Sequence, residues 1–201
     1  MTDTLRLPND AMPYGPYRKL VAALLAKGTT TGADVTPQRV DYTRLNDYRM
    51  DRMEKTITLL PELVSLAKSM NAPETWLVLT EAWCGDSAQN IPVLQKVAEA
   101  SDGKIRLFLA SRDANPDWMD RFTTEGGRSI PKLIRLDGTG AVLGTWGPRP
   151  VYGQQLMHEW KRSEGKISKD EFHKNLHLWY ARDRGASLQQ ELMQMLQAKS
   201  K

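Results

Sequence analysis

Hydrophobic positions change their period several times along the chain. Across residues 17–27, Leu20, Val21, Leu24 and Leu25 recur at the spacing of one helical face, and Gly28 ends the run. The sixteen residues before it hold Pro8, Pro13, Gly15 and Pro16, which predict an irregular arm. From about residue 41 to 70, Met50, Met53, Ile57, Leu60, Val64 and Ala67 draw a longer helical stripe. Pro61 must kink or restart that helix, because it has no amide proton to donate. Methionines suit an adaptable binding face; the reading adopted is that this stripe docks on the domain that follows.

From residue 76 the pattern alternates. Trp76 to Thr80 is a continuous apolar run of strand formers, and 87–100 is helical, with Ile91, Leu94, Val97 and Ala98 inward. A strand over 105–110 and a short helix opened by Asn115-Pro116-Asp117 follow. Strands over 132–136 and 141–146 flank the turn Asp137-Gly138-Thr139-Gly140, and a helix over 151–162 carries Leu156 and Trp160. The order β-α-β-α-β-β-α predicts an α/β fold, a mixed sheet flanked by helices. Beyond Gly165 everything is helical: Ser168 with Glu171, and Ser187 with Gln190, match the capping box. Phe172, Leu176, Trp179 and Tyr180 line the first of these helices, and Leu188, Leu192 and Leu196 the second. The expected organisation is an arm and helical extension over 1–74, a central domain over 75–163, and a C-terminal helical extension over 164–201. The stripes of both extensions are too narrow to close a core alone, so both are expected to pack on the centre.

Composition narrows the partners. The net charge of +4 is spread along the chain without a basic stripe interleaved with aromatics, which argues against nucleic acid. No apolar run is long enough to span a bilayer, and residues 1–10 lack the apolar core of a signal peptide. A single cysteine precludes an internal disulfide framework and fits a reducing, cytoplasmic setting. Oligomeric state is not legible.

That one cysteine, Cys84, stands where the strand at 76–80 gives way to the helix at 87–100. Free amide groups and the positive end of a helix dipole favour negative charge there, so a lowered thiol pKa is expected. The segment Trp83-Cys84-Gly85-Asp86-Ser87 resembles the Trp-Cys-Gly-Pro-Cys site of thioredoxins, and the surrounding order of elements is similar to the thioredoxin fold. Ser129-Ile130-Pro131, ahead of the strand at 132–136, resembles the cis-proline segment facing the cysteine in that family. The resemblance covers roughly residues 75–163 and implies substrate contacts at Trp83, Gly85, Asp86, Ile130 and Pro131.

Three departures shape the functional expectation. Ser87 replaces the resolving cysteine, so internal release of a mixed disulfide is lost. Asp86 replaces proline; its carboxylate opposes a thiolate next door, and it has the chemistry to cap the helix. The buried acid that the family places on the preceding strand corresponds to Val78. What remains is a monothiol site: Cys84 as nucleophile, Ser87 as a hydrogen-bond donor to it, and protein or small-molecule thiols and disulfides as partners. No cofactor is required beyond glutathione as a co-reductant. A second reading is a non-catalytic module that holds an extended peptide in the groove at Trp83, Cys84 and Pro131. A third is a glutathione-dependent glutaredoxin-like protein, since Cys-Gly-Asp-Ser also resembles the Cys-Gly-Phe-Ser of monothiol glutaredoxins.

Two other groupings carry less. His173 and His177 have the i, i+4 spacing of metal ligands without a third ligand, so a hydrogen-bonded or solvated pair and no metal are expected. Gly126-Gly127-Arg128 lacks the lysine and hydroxyl of a phosphate loop and reads as a turn, with Arg128 placed near the cysteine.

Overall fold

The computed structural model describes residues 4–198, so the extreme ends of both expected extensions lie outside it. Its core element is β2 (Glu74–Thr80), buried at every position. Such a strand must be covered on both faces, and its continuous apolar sequence reflects that. It pairs parallel to β3 (Ile105–Ser111) and antiparallel to β4 (Lys132–Leu136). β4 continues antiparallel into β5 (Val142–Trp146). The arm contributes an outer strand that the sequence reading left irregular. β1 (Met12–Pro13) pairs antiparallel with β3, giving the order β1-β3-β2-β4-β5. Two residues, one a proline, carry no readable period, and proline is tolerated because the strand is at an edge.

Alternation along β2 divides the core. Trp76 and Val78 face α1 (Tyr14–Ala26), α2 (Pro37–Thr56), α3 (Pro61–Lys68), α4 (Gly85–Ala100) and, near the C-terminus, α8 (Ala186–Gln197). Leu77 and Leu79 face the other layer, with Met119 of α5 (Pro116–Arg121). The helical stretch anticipated over 41–70 is two helices, and Pro61 restarts the second at its first position, where its missing N–H costs nothing. The methionine stripe is core, as Met50 and Met53 are buried in the larger cluster. Leu188 and Leu192 of α8 lie in that same cluster, fully buried, so the C-terminal end of the chain docks on the central layer.

α6 (Val151–Arg162) and α7 (Lys169–Asp183) form a third apolar cluster around Phe172, Leu176 and Tyr180. Ser168 caps α7 by accepting from the Glu171 N–H at 3.1 Å, as its motif predicts. Ser187 does not cap α8. That helix starts at Ala186 behind Gly185, whose φ of +80° suits the junction, and the Ser187 hydroxyl and amide turn back onto Asp183. Among the described residues no helix is long and apolar enough to cross a membrane.

Candidate functional site

Cys84 is the N-cap of α4, with an extended backbone at φ −81° and ψ 116°. The turn leading to it is pinned from several sides. The Cys84 amide donates to Glu81 O at 3.0 Å, the Ala82 amide donates to Thr31 Oγ1 at 2.8 Å, and Asn46 Nδ2 of α2 donates to Ala82 O at 3.0 Å. Across from it, the Ile130–Pro131 bond is cis, and the Cys84 thiol donates to Ile130 O at 3.3 Å. A second close approach fixes that segment from behind. Gly147 has φ +116°, and a Cβ there would lie 2.2 Å from Pro131 O, so only glycine fits. Cys84, Ile130 and Pro131, drawn from separate stretches of sequence, therefore meet at one point, with Trp83 and Gly85 on the rim.

Electrostatics at the sulfur run against the expectation from the helix terminus. The thiol pKa is pushed up to about 11, first by burial and then by the Asp86 carboxylate. Hydrogen bonds from the Ser87 side chain and backbone, and the Arg149 charge, pull the other way without prevailing. Cys84 is 8% exposed, and desolvation of an anion outweighs a helix-end dipole. Ser87 is buried beside it, and its oxygen accepts from Thr80 Oγ1 at 2.8 Å, which leaves its own proton for the sulfur.

Asp86 does not cap the helix. Its Oδ2 accepts from Arg149 Nη2 at 2.5 Å and Nε at 3.1 Å, and its Oδ1 accepts from Tyr180 Oη at 2.7 Å. Asn90 Nδ2 completes the cluster by donating to Asp86 O at 2.8 Å and Tyr180 Oη at 3.0 Å. Burial, then Asp86, raises the Tyr180 phenol well above its ordinary value. This network ties the first turn of α4 to α7 and to the residues ahead of α6. Arg128, expected near the cysteine, is instead exposed and paired with Asp120 at 2.5 Å; Arg149 is the cation paired with Asp86.

α7 forms a roof. With α2 and α4 it encloses a cleft of about 250 Å³ above Cys84, lined by Arg49, Trp83, Phe172, His173, Leu176 and His177 among others. Gly85 permits this closure, since a Cβ there would lie 2.9 Å from His177 Cε1. The two histidines are a partly buried part of the roof rather than a solvated pair. Burial and Arg49 lower His177 to about 4, and burial and Lys169 lower His173. No group of metal-ligating side chains is found among the described residues.

The sequence reading missed Glu81, three residues before the cysteine and fully buried. Its Oε1 accepts from Ser111 Oγ at 2.7 Å and the Asp113 amide at 3.0 Å, while Oε2 is buried without a partner. Its signal was an acid directly after the apolar run Trp76 to Thr80, ahead of Ala82 and Trp83. Trp83 lies between two guanidinium groups, with Arg39 4.3 Å and Arg112 4.9 Å from its ring centroid.

Comparison with known proteins agrees with this architecture. A family model described as thioredoxin matches residues 32–161. A thioredoxin of Alicyclobacillus acidocaldarius is 36% identical over 69 residues, 34% of this chain and 63% of that protein. Thioredoxin 1 of Nostoc sp. is 34% identical over 56 residues, 28% of this chain and 50% of that protein. The chain thus spans between half and two thirds of the length of these curated relatives. A crystal structure of a Pseudomonas aeruginosa protein of unknown function superposes with a TM-score of 0.54 at 17% identity, covering 92% of this chain and 97% of the other. An HIV epitope scaffold superposes with a TM-score of 0.52, also at 17% identity, covering 92% and 98%.

Proposed function

Because the chain belongs to the thioredoxin family, we propose that it is a single-thiol member that exchanges disulfides through Cys84, with an external thiol completing each cycle. The observation that carries this reading is the meeting of the Cys84 sulfur, the Ser87 donors and the Ile130 carbonyl at the first turn of α4. In the exchange, the Cys84 thiolate attacks one sulfur of a disulfide. A Cys84 mixed disulfide forms, the original S–S bond breaks, and the leaving thiolate takes up the proton that Cys84 lost. A second thiol, of the glutathione type or from a partner protein, then attacks the mixed disulfide and returns Cys84 to its thiol form. Ser87 cannot perform that step, so the mixed disulfide is long-lived.

The raised thiol pKa sets the pace. With a value of about 11, roughly one molecule in ten thousand carries the thiolate at pH 7. Exchange through so small a thiolate fraction is slow. The test is to incubate the protein with hydroxyethyl disulfide and follow intact mass. One adduct per chain, on Cys84 and removable by added thiol, is expected. An adduct that forms only in denaturant overturns the reading.

The same raised pKa favours a second reading, a non-catalytic module that uses the groove at Trp83, Cys84 and Pro131 to hold a partner. On that reading Cys84→Ala leaves partner capture unchanged, whereas the exchange reading requires its loss.

A further inference from the structure

The cleft above Cys84 is positively charged in a way that the exchange reaction does not use. Arg49, Arg149 and Lys169 line it against one carboxylate, Asp86, whose two oxygens are already taken by Arg149 and Tyr180. Arg49 is different. Among the described residues its hydrogen bond is to a neutral acceptor, Asn46 Oδ1 at 2.8 Å. Burial first, then the neighbouring Arg52, lower its pKa, and the more distant pull of Tyr42 and Asp86 does not offset them. His177 stands beside it with Nδ1 buried and unpartnered. Both side chains pack against Gly85, next to Cys84, so Arg49 and His177 stand side by side on the wall of the cleft. Met157, Phe172, Leu176 and Trp83 supply an apolar wall, and Lys169 lies at the first turn of α7. Another cleft, about 340 Å³ between α3 and α8, offers no such vacancy, because its Arg135 is held by Glu74 and by Met195 O.

We propose that the cleft between α4 and α7 recognises a small disulfide or thiol that carries carboxylates, with Arg49 binding a carboxylate and Lys169 extending the positive rim. The inference rests on the exchange reading for its chemistry and adds the substrate class. A guanidinium in a partly desolvated wall suits a carboxylate because it offers paired donors in a fixed plane. Oxidised glutathione serves as the probe. Its S–S bond breaks, a Cys84–glutathione mixed disulfide forms, and one glutathione thiolate leaves and is protonated.

The experiment compares adduct formation on the full chain with three disulfides: oxidised glutathione (anionic), hydroxyethyl disulfide (neutral) and cystamine (cationic). At low ionic strength the anionic probe is expected to react about threefold faster than the neutral one, with the cationic probe slowest. Salt should compress that order. Arg49→Gln and, separately, the exposed Lys169→Gln should each reduce the ratio of anionic to neutral rates. Calorimetric binding of S-methylglutathione, which cannot exchange, is measured in parallel. Equal rates with all three probes and no S-methylglutathione binding overturn the carboxylate site while exchange at Cys84 stands. No reaction with any disulfide, but S-methylglutathione binding that weakens in Arg49→Gln, upholds the site and overturns the exchange reading. An anionic preference that survives both substitutions also overturns the assignment.

Discussion

Replacing Asp86 by asparagine separates the two causes that keep Cys84 protonated. Burial is left in place, and the negative charge beside the sulfur is removed. The sign is unambiguous: a like charge near a thiolate raises its pKa, so removing it lowers the pKa, and Arg149, now without its counter-ion, lowers it further. A single charge at this range is worth roughly one to two pH units, so the midpoint falls from about 11 towards 9–10. Each unit gives tenfold more thiolate at pH 7, but nucleophilicity drops with basicity, so the net gain is about threefold per unit. There is a stability cost. The Arg149 and Asp86 side chains are 9% and 10% exposed, and breaking a buried ion pair typically costs about 3–5 kcal/mol. Asparagine keeps one acceptor oxygen where the carboxylate has two, so it retains the bond from Arg149 or from Tyr180 but not both, and the loss falls within that range. The assay is iodoacetamide alkylation of the lone cysteine against pH, followed by mass, with urea unfolding alongside. If the variant is folded and its alkylation midpoint stays at the wild-type value, Asp86 does not govern the thiol and the electrostatic reasoning fails.

Introducing Ser87→Cys should give a chain that forms an internal disulfide on oxidation and reduces insulin-type disulfides with a dithiol reductant; failure to capture that disulfide would show that residues 84 and 87 do not face each other. Gly147→Ala should be destabilised by well over 1 kcal/mol in urea titration, because its Cβ would meet Pro131 O at 2.2 Å with φ at +116°; a variant of wild-type stability would contradict the close approach. Stability should be lost at both ends of the pH range. His177 is lowered from 6.5 to about 4, so its neutral form supports the fold above pH 6.5, and that support is lost as pH falls towards 4. The Cys84 shift, from 9.0 to about 11, leaves stability intact below pH 9 and erodes it as pH rises towards 11. Thermal unfolding across pH 4–11 checks both limbs, and His177→Gln should flatten the acid one.

What the sequence made legible was local. The apolar run into Cys84, the turn at Asp137-Gly138 and the helix punctuation at Pro61 and Ser168 each act over a few residues, and the structure places their elements within a residue or two of expectation. The meeting of Cys84 with Ile130 followed from two landmarks in the right order rather than from either alone. The electrostatics of the site were not legible, because their partners are distant in sequence. Arg149 lies 63 residues from Asp86 and Tyr180 lies 94, and no period or motif links them. For the same reason a helix terminus in the sequence suggested a lowered thiol pKa, whereas burial among Leu77, Leu79 and Ile130, and then the Asp86 carboxylate, raise it. Ser187 misled because a capping-box pattern is satisfied by composition, while the helix start is set by the left-handed Gly185 and by Asp183.

The central claim, that Cys84 exchanges disulfides without an internal resolving group, is tested most directly by the fate of its mixed disulfide. The hydroxyethyl adduct is formed, freed of excess reagent, and its decay followed by intact mass at a series of external thiol concentrations. The account expects no measurable decay without thiol and a release rate proportional to thiol concentration, with the unmodified chain as the sole protein product. Release that is rapid and independent of added thiol, or a folded protein that forms no adduct, would contradict it.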